Sequence, residues 1–157
     1  MQIRRATSED AQLLATLNVP VQRVHAEGRP DIFKEASDGE DMVGHFADVL
    51  QKEQNHAFIA EVDGQAVGYA IALVFSTQEM VHSYSSDVVY LNEMSVNDEQ
   101  RGRGIGKALM QAVFDLARVE GVRRLVLDVW HFNSDSREFY AHMGFEPITV
   151  KMEMMLD

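Results

Sequence analysis

Arg101-Gly102-Arg103-Gly104-Ile105-Gly106 constrains the fold more tightly than any other stretch, because it joins a strand-like run to a helical one. Three glycines within five positions let the backbone turn sharply and approach a ligand without interference from Cβ atoms. The following helix points its unpaired N–H groups and positive dipole end back at this turn, which makes an anion site. Arg101, Arg103 and Lys107 add positive charge, so a phosphate suits these residues. Two other phosphate motifs do not fit. A P-loop needs Gly at 101 and Ser or Thr at 108, where Arg101 and Ala108 stand. The dinucleotide fingerprint needs Gly in place of Lys107. On these six residues alone, a flexible solvated turn is an equal reading.

The surrounding pattern gives the turn its context. Ile3 to Ala6 reads as a short strand, and Thr7 with Asp10 as a capping box before the helical stripe Leu13, Leu14 and Leu17. Asn18 and Pro20 predict a break, with Pro20 opening a second helix through Val21, Val24 and His25. Asp38 is expected to cap a third helix that buries Met42, Phe46, Val49 and Leu50. Asp63-Gly64 between two apolar runs predicts a tight hairpin, and residues 76–87 a loop or hairpin end. Val88 to Val96 predicts a central strand. After the glycine turn, Ile105, Leu109, Ala112, Val113 and Leu116 recur at helical spacing, with Gly121 as a stop. Leu125 to Trp130 predicts a strand covered on both faces. Asn133 is expected to cap a helix reaching Met143, and Ile148, Val150, Met152, Met154 and Leu156 alternate as a final strand. The order predicts one mixed α/β domain over residues 1–157, largely antiparallel with a parallel step at the glycine turn.

Charge and composition narrow the function. Residues 1–100 carry 6 basic and 17 acidic side chains, whereas residues 101–157 carry 8 of each. Nucleic acid is therefore not the expected partner, since a phosphate-backbone binder presents a basic face. An acidic half can steer a cationic amine, or simply keep the protein soluble. No apolar run reaches the length of about 18 residues needed to cross a membrane. The N-terminus lacks the apolar core of a signal peptide. With no cysteine, the expected setting is cytoplasmic. The six histidines show no ligand spacing, so no metal is expected.

Arg101-x-x-Gly104-x-Gly106, preceded by Met94-Ser95-Val96, resembles the pyrophosphate loop of the GNAT superfamily of acetyl-CoA-dependent N-acetyltransferases. Asn133-x-x-Ser136-x-x-Phe139-Tyr140-x-x-x-Gly144-Phe145 resembles that family's second signature, at the usual distance. The resemblance is strong over residues 88–146 and elsewhere rests on element order. It implies a GNAT-type domain: a twisted, mostly antiparallel sheet with one parallel, splayed strand pair and helices on both faces. Acetyl-CoA is the implied co-substrate, with a primary amine of a small molecule, rather than of a protein, as the implied acceptor. Met94, Ser95 and Val96 would meet the pantetheine arm, with the Met94 N–H aimed at the acetyl oxygen. Residues 101–107 (Arg101, Gly102, Arg103, Gly104, Ile105, Gly106 and Lys107) would hold the diphosphate. Asn133 would touch the arm as well as cap its helix, and Tyr140 would protonate the departing sulfur. Glu93 and Asp128 are alternative general bases, and water is a third. By position, His25, Asp31 and Phe33 are candidates to line the acceptor pocket. Homodimers are common in the family, although nothing in this sequence specifies one. A non-catalytic acyl-CoA-binding or regulatory module of the same fold, or a nucleotide-binding domain using the same loop, would carry the same glycine turn.

Overall fold

The computed structural model describes residues 1–156. Five strands form one sheet in chain order: β1 (Gln2–Arg5), β2 (Asn55–Val62), β3 (Gln65–Thr77), β4 (Ser86–Val96) and β5 (Arg124–Leu127). The first three pairings are antiparallel, and β4–β5 is parallel. The parallel step requires a crossover, which α3 (Ile105–Val119) supplies across one face. Helices α1 (Ala11–Gly28) and α2 (Glu40–Gln51) cover the other face, and α4 (Ser134–His142) follows β5.

Alternation along the strands builds two cores. Phe58, Ala60, Ala70 and Ala72 face Ile105, Leu109, Met110 and Val113 of α3. Ile59, Tyr69 and Ile71 face the opposite way, onto Leu14, Leu17, Phe46 and Val49 of α1 and α2. The β2–β3 hairpin turns at Asp63 (φ 52°) and Gly64 (φ 77°), the positive-φ pair that its sequence demands. Asp10 ties β1 to α1. Its carboxylate closes the capping box on Thr7 and accepts two hydrogen bonds from Arg4, at 2.9 and 2.8 Å. Arg4 reaches Glu61 on β2 at 2.6 Å as well.

Four expectations need correction. The chain does not break at Pro20, because α1 runs unbroken through it. A proline inside a helix forfeits one backbone hydrogen bond and costs about 3 kcal/mol, but Leu14 and Leu17 are buried and Asn18 is engaged by the sheet, so packing outweighs the loss. Gly39, not Asp38, occupies the N-cap of α2. The Asp38 carboxylate instead lies 3.4 Å from the Thr16 hydroxyl. β5 is only four residues long and half-buried, not covered on both faces, with Val129 and Trp130 beyond it partly exposed. Finally, Ile148 to Leu156 forms no strand: it extends without a ladder partner and stays exposed. The alternation is real, but a strand exists only against an edge.

The Arg4 guanidinium holds the Asp10 carboxyl down at about 2. A depressed carboxyl stabilises the fold above its unfolded value, near 3.8, and loses that contribution as pH falls through about 2. Asp10→Asn should therefore cost about 2–3 kcal/mol at neutral pH. Urea unfolding of both proteins between pH 7 and pH 2 should show the gap narrowing only at the acid end.

Candidate active site

A splay between β4 and β5 creates the site. The two strands pair only over Val88–Leu91 and Arg124–Leu127. At that point the β3–β4 register slips: Ala72 faces Leu91, while Ile71 faces Glu93, leaving Asn92 as the extra residue of a bulge. A bulge bends its strand, and from Asn92 onward the β5 side of β4 is open. The Asn97 N–H donates to the Val67 carbonyl at 2.9 Å. Antiparallel alternation then turns Ser95 toward β3 as well, and sends the N–H groups of Met94 and Val96 into the opening. Met94 lines the cleft. The Ser95 side chain does not: it is buried, and its hydroxyl has no partner among the described residues.

β4 delivers the chain to the glycine turn. Gly102 (φ 74°) and Gly104 (φ 80°) take the left-handed conformation that other residues resist. Gly106 is needed for space instead, since a Cβ there would stand 3.3 Å from the Phe139 ring. Buried Ile105 anchors the start of α3. Among the described residues, no backbone N–H from Gly102 to Lys107 has a hydrogen-bond partner; the first donor engaged is that of Ala108, on the Gly104 carbonyl at 3.0 Å. Arg101 leans on Asp98 at 2.9 Å, and Arg103 on Gln100. This run of free donors, with the helix dipole behind it, fits an anionic diphosphate.

The opening widens into a cleft of about 390 Å³, the size of a small-molecule site, and several candidate residues meet there. Glu93, Met94, Asp128, Asn133, Tyr140, His25 and Phe33 all line it. Asn133 caps α4 by accepting the Ser136 N–H at 3.1 Å. The Tyr140 hydroxyl has no partner among the described residues, and burial pushes its pKa up to about 12. Glu93 sits within a network that the sequence did not reveal. Its carboxylate accepts from the Tyr69 hydroxyl at 2.8 Å, and His45 Nε2 lies 3.8 Å away. The same hydroxyl lies 2.9 Å from Asn18 Oδ1 on α1. Having one hydrogen, it serves one acceptor at a time. Glu93 raises the pKa of His45, whereas burial lowers that of His25. Asp128 is more exposed and accepts from Tyr90 at 2.9 Å.

Aromatic rings form one wall. His25 stacks on Phe33 at 4.9 Å, Phe33 meets Trp130 edge-on at 5.3 Å, and Trp130 stacks on Phe132 at 5.8 Å. Asp31 stands apart from the cleft lining, held by two bonds from Arg29 at 2.8 and 2.7 Å. Trp130 and Phe132 were missed because the sequence reading placed Trp130 in a buried strand. The signal available was that the only tryptophan stands three residues before the α4 cap. No group of three or more metal-ligating side chains occurs among the described residues.

The family model described as "Acetyltransferase (GNAT) family" matches residues 21–145, and the chain belongs to that family. It is 31% identical over 134 residues to the aminoglycoside N(6')-acetyltransferase type 1 of Salmonella typhimurium, covering 80% of this chain and 88% of that relative. A solved tetramutant of the BH1408 protein from Bacillus halodurans superposes with a TM-score of 0.93 at 25% identity, covering 99% of this chain and 100% of that one. The aminoglycoside N-acetyltransferase AAC(6')-Iy, solved in complex with CoA, shares the fold, with a TM-score of 0.74 at 24% identity and coverage of 99% and 93%.

Gly28 closes α1 against the aromatic wall, and a Cβ there would fall 2.3 Å from the Phe132 ring. Gly28→Ala should therefore push Phe132 off Trp130. Because Trp130 is the only tryptophan, its fluorescence reads the displacement directly. The expected result is a shifted emission maximum in a folded protein, since the gain in helix propensity, about 1 kcal/mol, offsets part of the overpacking.

Proposed function

We propose that residues 1–157 form one N-acetyltransferase domain, which transfers the acetyl group of acetyl-CoA to a primary amine of a small molecule by direct attack, with both substrates in the cleft. The observation that carries this reading is the presence of two sets of free backbone donors at the two ends of the β4–glycine-turn segment. One set is the free N–H groups of Gly102–Lys107, and the other is those of Met94 and Val96 on the open side of β4, in whose cleft Met94 stands with Glu93 and Tyr140. Acetyl-CoA supplies an acyl carbon already activated as a thioester. The glycine turn and the start of α3 hold its diphosphate, Arg101, Arg103 and Lys107 add charge, and Val96 and Asn133 meet the pantetheine arm. The Met94 N–H donates to the acetyl oxygen, a fixed donor where negative charge develops. As the amine nitrogen bonds to the acetyl carbon, Glu93 accepts its proton. As the carbon–sulfur bond breaks, Tyr140 gives its proton to the sulfur. With a pKa near 12, Tyr140 is protonated at neutral pH and ready to donate.

Asp128, nearer solvent and tied to Tyr90, suits anchoring a cationic acceptor better than taking its proton. His25 and Phe33 offer the acceptor an aromatic wall. Burial keeps His25 neutral, so it does not repel a cation. The acceptor of the Salmonella relative, an aminoglycoside by its name, is a small polyamine, and the acidic surplus of residues 1–100 suits a ligand of that charge. A cytoplasmic setting accompanies this reading, supported by the absence of cysteine. No helix among the described residues is long and apolar enough to cross a membrane.

Thiol release measured across a panel of amines tests the proposal. Turnover with at least one amine is expected. Tight acetyl-CoA binding without turnover on any amine would favour a non-catalytic acyl-CoA-binding module instead. Tyr140→Phe should lower kcat by about 10²–10⁴-fold and leave the Kd for acetyl-CoA unchanged; equal losses in both would make Tyr140 structural. Glu93→Gln should lower kcat more than Asp128→Asn does, with Asp128→Asn acting mainly on the KM of the amine. The reverse order would exchange their roles.

A further inference from the structure

Asn18 is an amide on a face of α1 that is otherwise apolar. It follows Leu14 and Leu17 and is itself only 6% exposed. A buried amide is costly unless it is hydrogen-bonded. Among the described residues its side chain has one such contact, the Tyr69 hydroxyl, 2.9 Å from Oδ1. That hydroxyl also stands 2.8 Å from Glu93 Oε2. Two acceptors thus converge on a single hydrogen.

The carboxylate takes that hydrogen. A hydrogen bond to a charged acceptor is about twice as strong as one to a neutral amide. Burial, with Glu93 nearby, keeps the proton on Tyr69. Asn18 Oδ1 and the hydroxyl oxygen then face each other with no hydrogen between them, which repels. Turning the amide over about its Cβ–Cγ bond removes the conflict. Nδ2 donates to the Tyr69 oxygen, which has lone pairs to accept it, and Oδ1 takes the place that Nδ2 held. That place is open. The amide nitrogen has no hydrogen-bond partner among the described residues, yet the sealed polar atoms left without one are Asn55 Oδ1 and Ser95 Oγ. Asn18 lines the cleft, so its free amide atom meets solvent there. Glu93 lines the same cleft, and its second oxygen, Oε1, faces away from Tyr69, 3.3 Å from Asn92 Nδ2.

We infer that Asn18 presents its amide oxygen to the cleft beside Glu93, and that this pair of acceptors makes the site selective for primary over secondary amines. The inference rests on the acetyl-transfer reading above. Because Asn18 and Glu93 touch the same hydroxyl, they stand side by side in the cleft lining. An amine attacking the acetyl carbon turns its lone pair toward that carbon and its hydrogens away. A neutral primary amine has two N–H groups to place. One goes to Glu93 Oε1, which takes the proton as the carbon–nitrogen bond forms. The other goes to Asn18 Oδ1, which fixes the rotation of the nitrogen, and no bond is made or broken there. An N-methyl amine has a single N–H. It leaves one of the two acceptors without a partner and presses a methyl group against a polar oxygen.

The test compares kcat/KM for a primary amine that the protein acetylates with kcat/KM for its N-methyl derivative. The unmodified protein should favour the primary amine by about tenfold or more. Asn18→Leu, close in volume but without an acceptor, should bring that ratio near one and leave the Kd for acetyl-CoA unmoved. A packing role alone would lower both amines equally and keep the ratio, and that result overturns the assignment. So does a ratio near one in the unmodified protein. Should Asn18→Leu not fold, Tyr69→Phe decides, since it keeps the ring in the core and removes only the hydroxyl. It should narrow the ratio too, because the amide loses the partner that turns it, and an unchanged ratio again overturns the assignment. Turnover on no amine at all fails the acetyl-transfer reading and this assignment with it, whereas turnover without discrimination fails the assignment alone.

Discussion

The extra residue at Asn92 governs the layout of the site. While β4 and β5 run parallel, their side chains share a core and leave no room between them. Once the bulge bends β4 away at Leu91, the backbone groups on one side of Met94 and Val96 lose the neighbour that a regular sheet would give them. A polar backbone edge inside a fold is costly unless water or a ligand satisfies it. The cleft therefore opens where the sheet splays, and α1, α2 and α4 supply much of its lining. The same bend aims the end of β4 at the glycine turn, where the next run of unpaired donors begins. Backbone thus presents the free donors of this region, while the titratable side chains gather in the cleft.

That division explains what the sequence disclosed. Backbone-driven features leave compositional marks: glycine where φ is positive at 64, 102 and 104, a capping box at Thr7 and Asp10, and Asn133 at the start of α4. Each of these was legible, as were the strand pairs they delimit. Features that depend on a distant partner were not. Asn18 and Pro20 read as helix breakers, because local propensity cannot register that Leu14, Leu17 and Asn18 are held by the sheet. Ile148 to Leu156 read as a strand, because alternation reports the shape a segment would adopt and not whether an edge is available to it. Asp31 is a separate case, an acceptor contact read on position alone, which in the structure lies outside the cleft lining and is engaged by Arg29 two residues away.

The Glu93 network was beyond reach for the same reason, and it shows how core and site are coupled. Tyr69 is fully buried and packs edge-on against Phe46 at 5.9 Å, so its ring belongs to the core under α1 and α2. Its hydroxyl nevertheless reaches Asn18 of α1 and Glu93 of β4, both of which line the cleft. Burial, with Glu93 nearby, raises the Tyr69 pKa well above the ordinary phenol value, so Tyr69 is a permanent donor. Glu93 is positioned by a group that cannot move without disturbing the core. A carboxylate on an exposed loop would lack that restraint.

His45 adds a second, titratable restraint from α2. Its pKa is raised because protonated imidazole is favoured beside the Glu93 carboxylate. The sign follows directly. The attraction is fully present below the ordinary histidine value of 6.5, persists somewhat above it, and fades as pH rises through the elevated value of the folded state. His45 is half-exposed, so solvent weakens the pair and its effect on global stability is small. The local consequence is larger. In acid, Glu93 faces a cation on α2. As His45 becomes neutral, Tyr69 remains as the fixed donor to Glu93. Glu93 is thus tied to the core on one side and to a titrating histidine on the other.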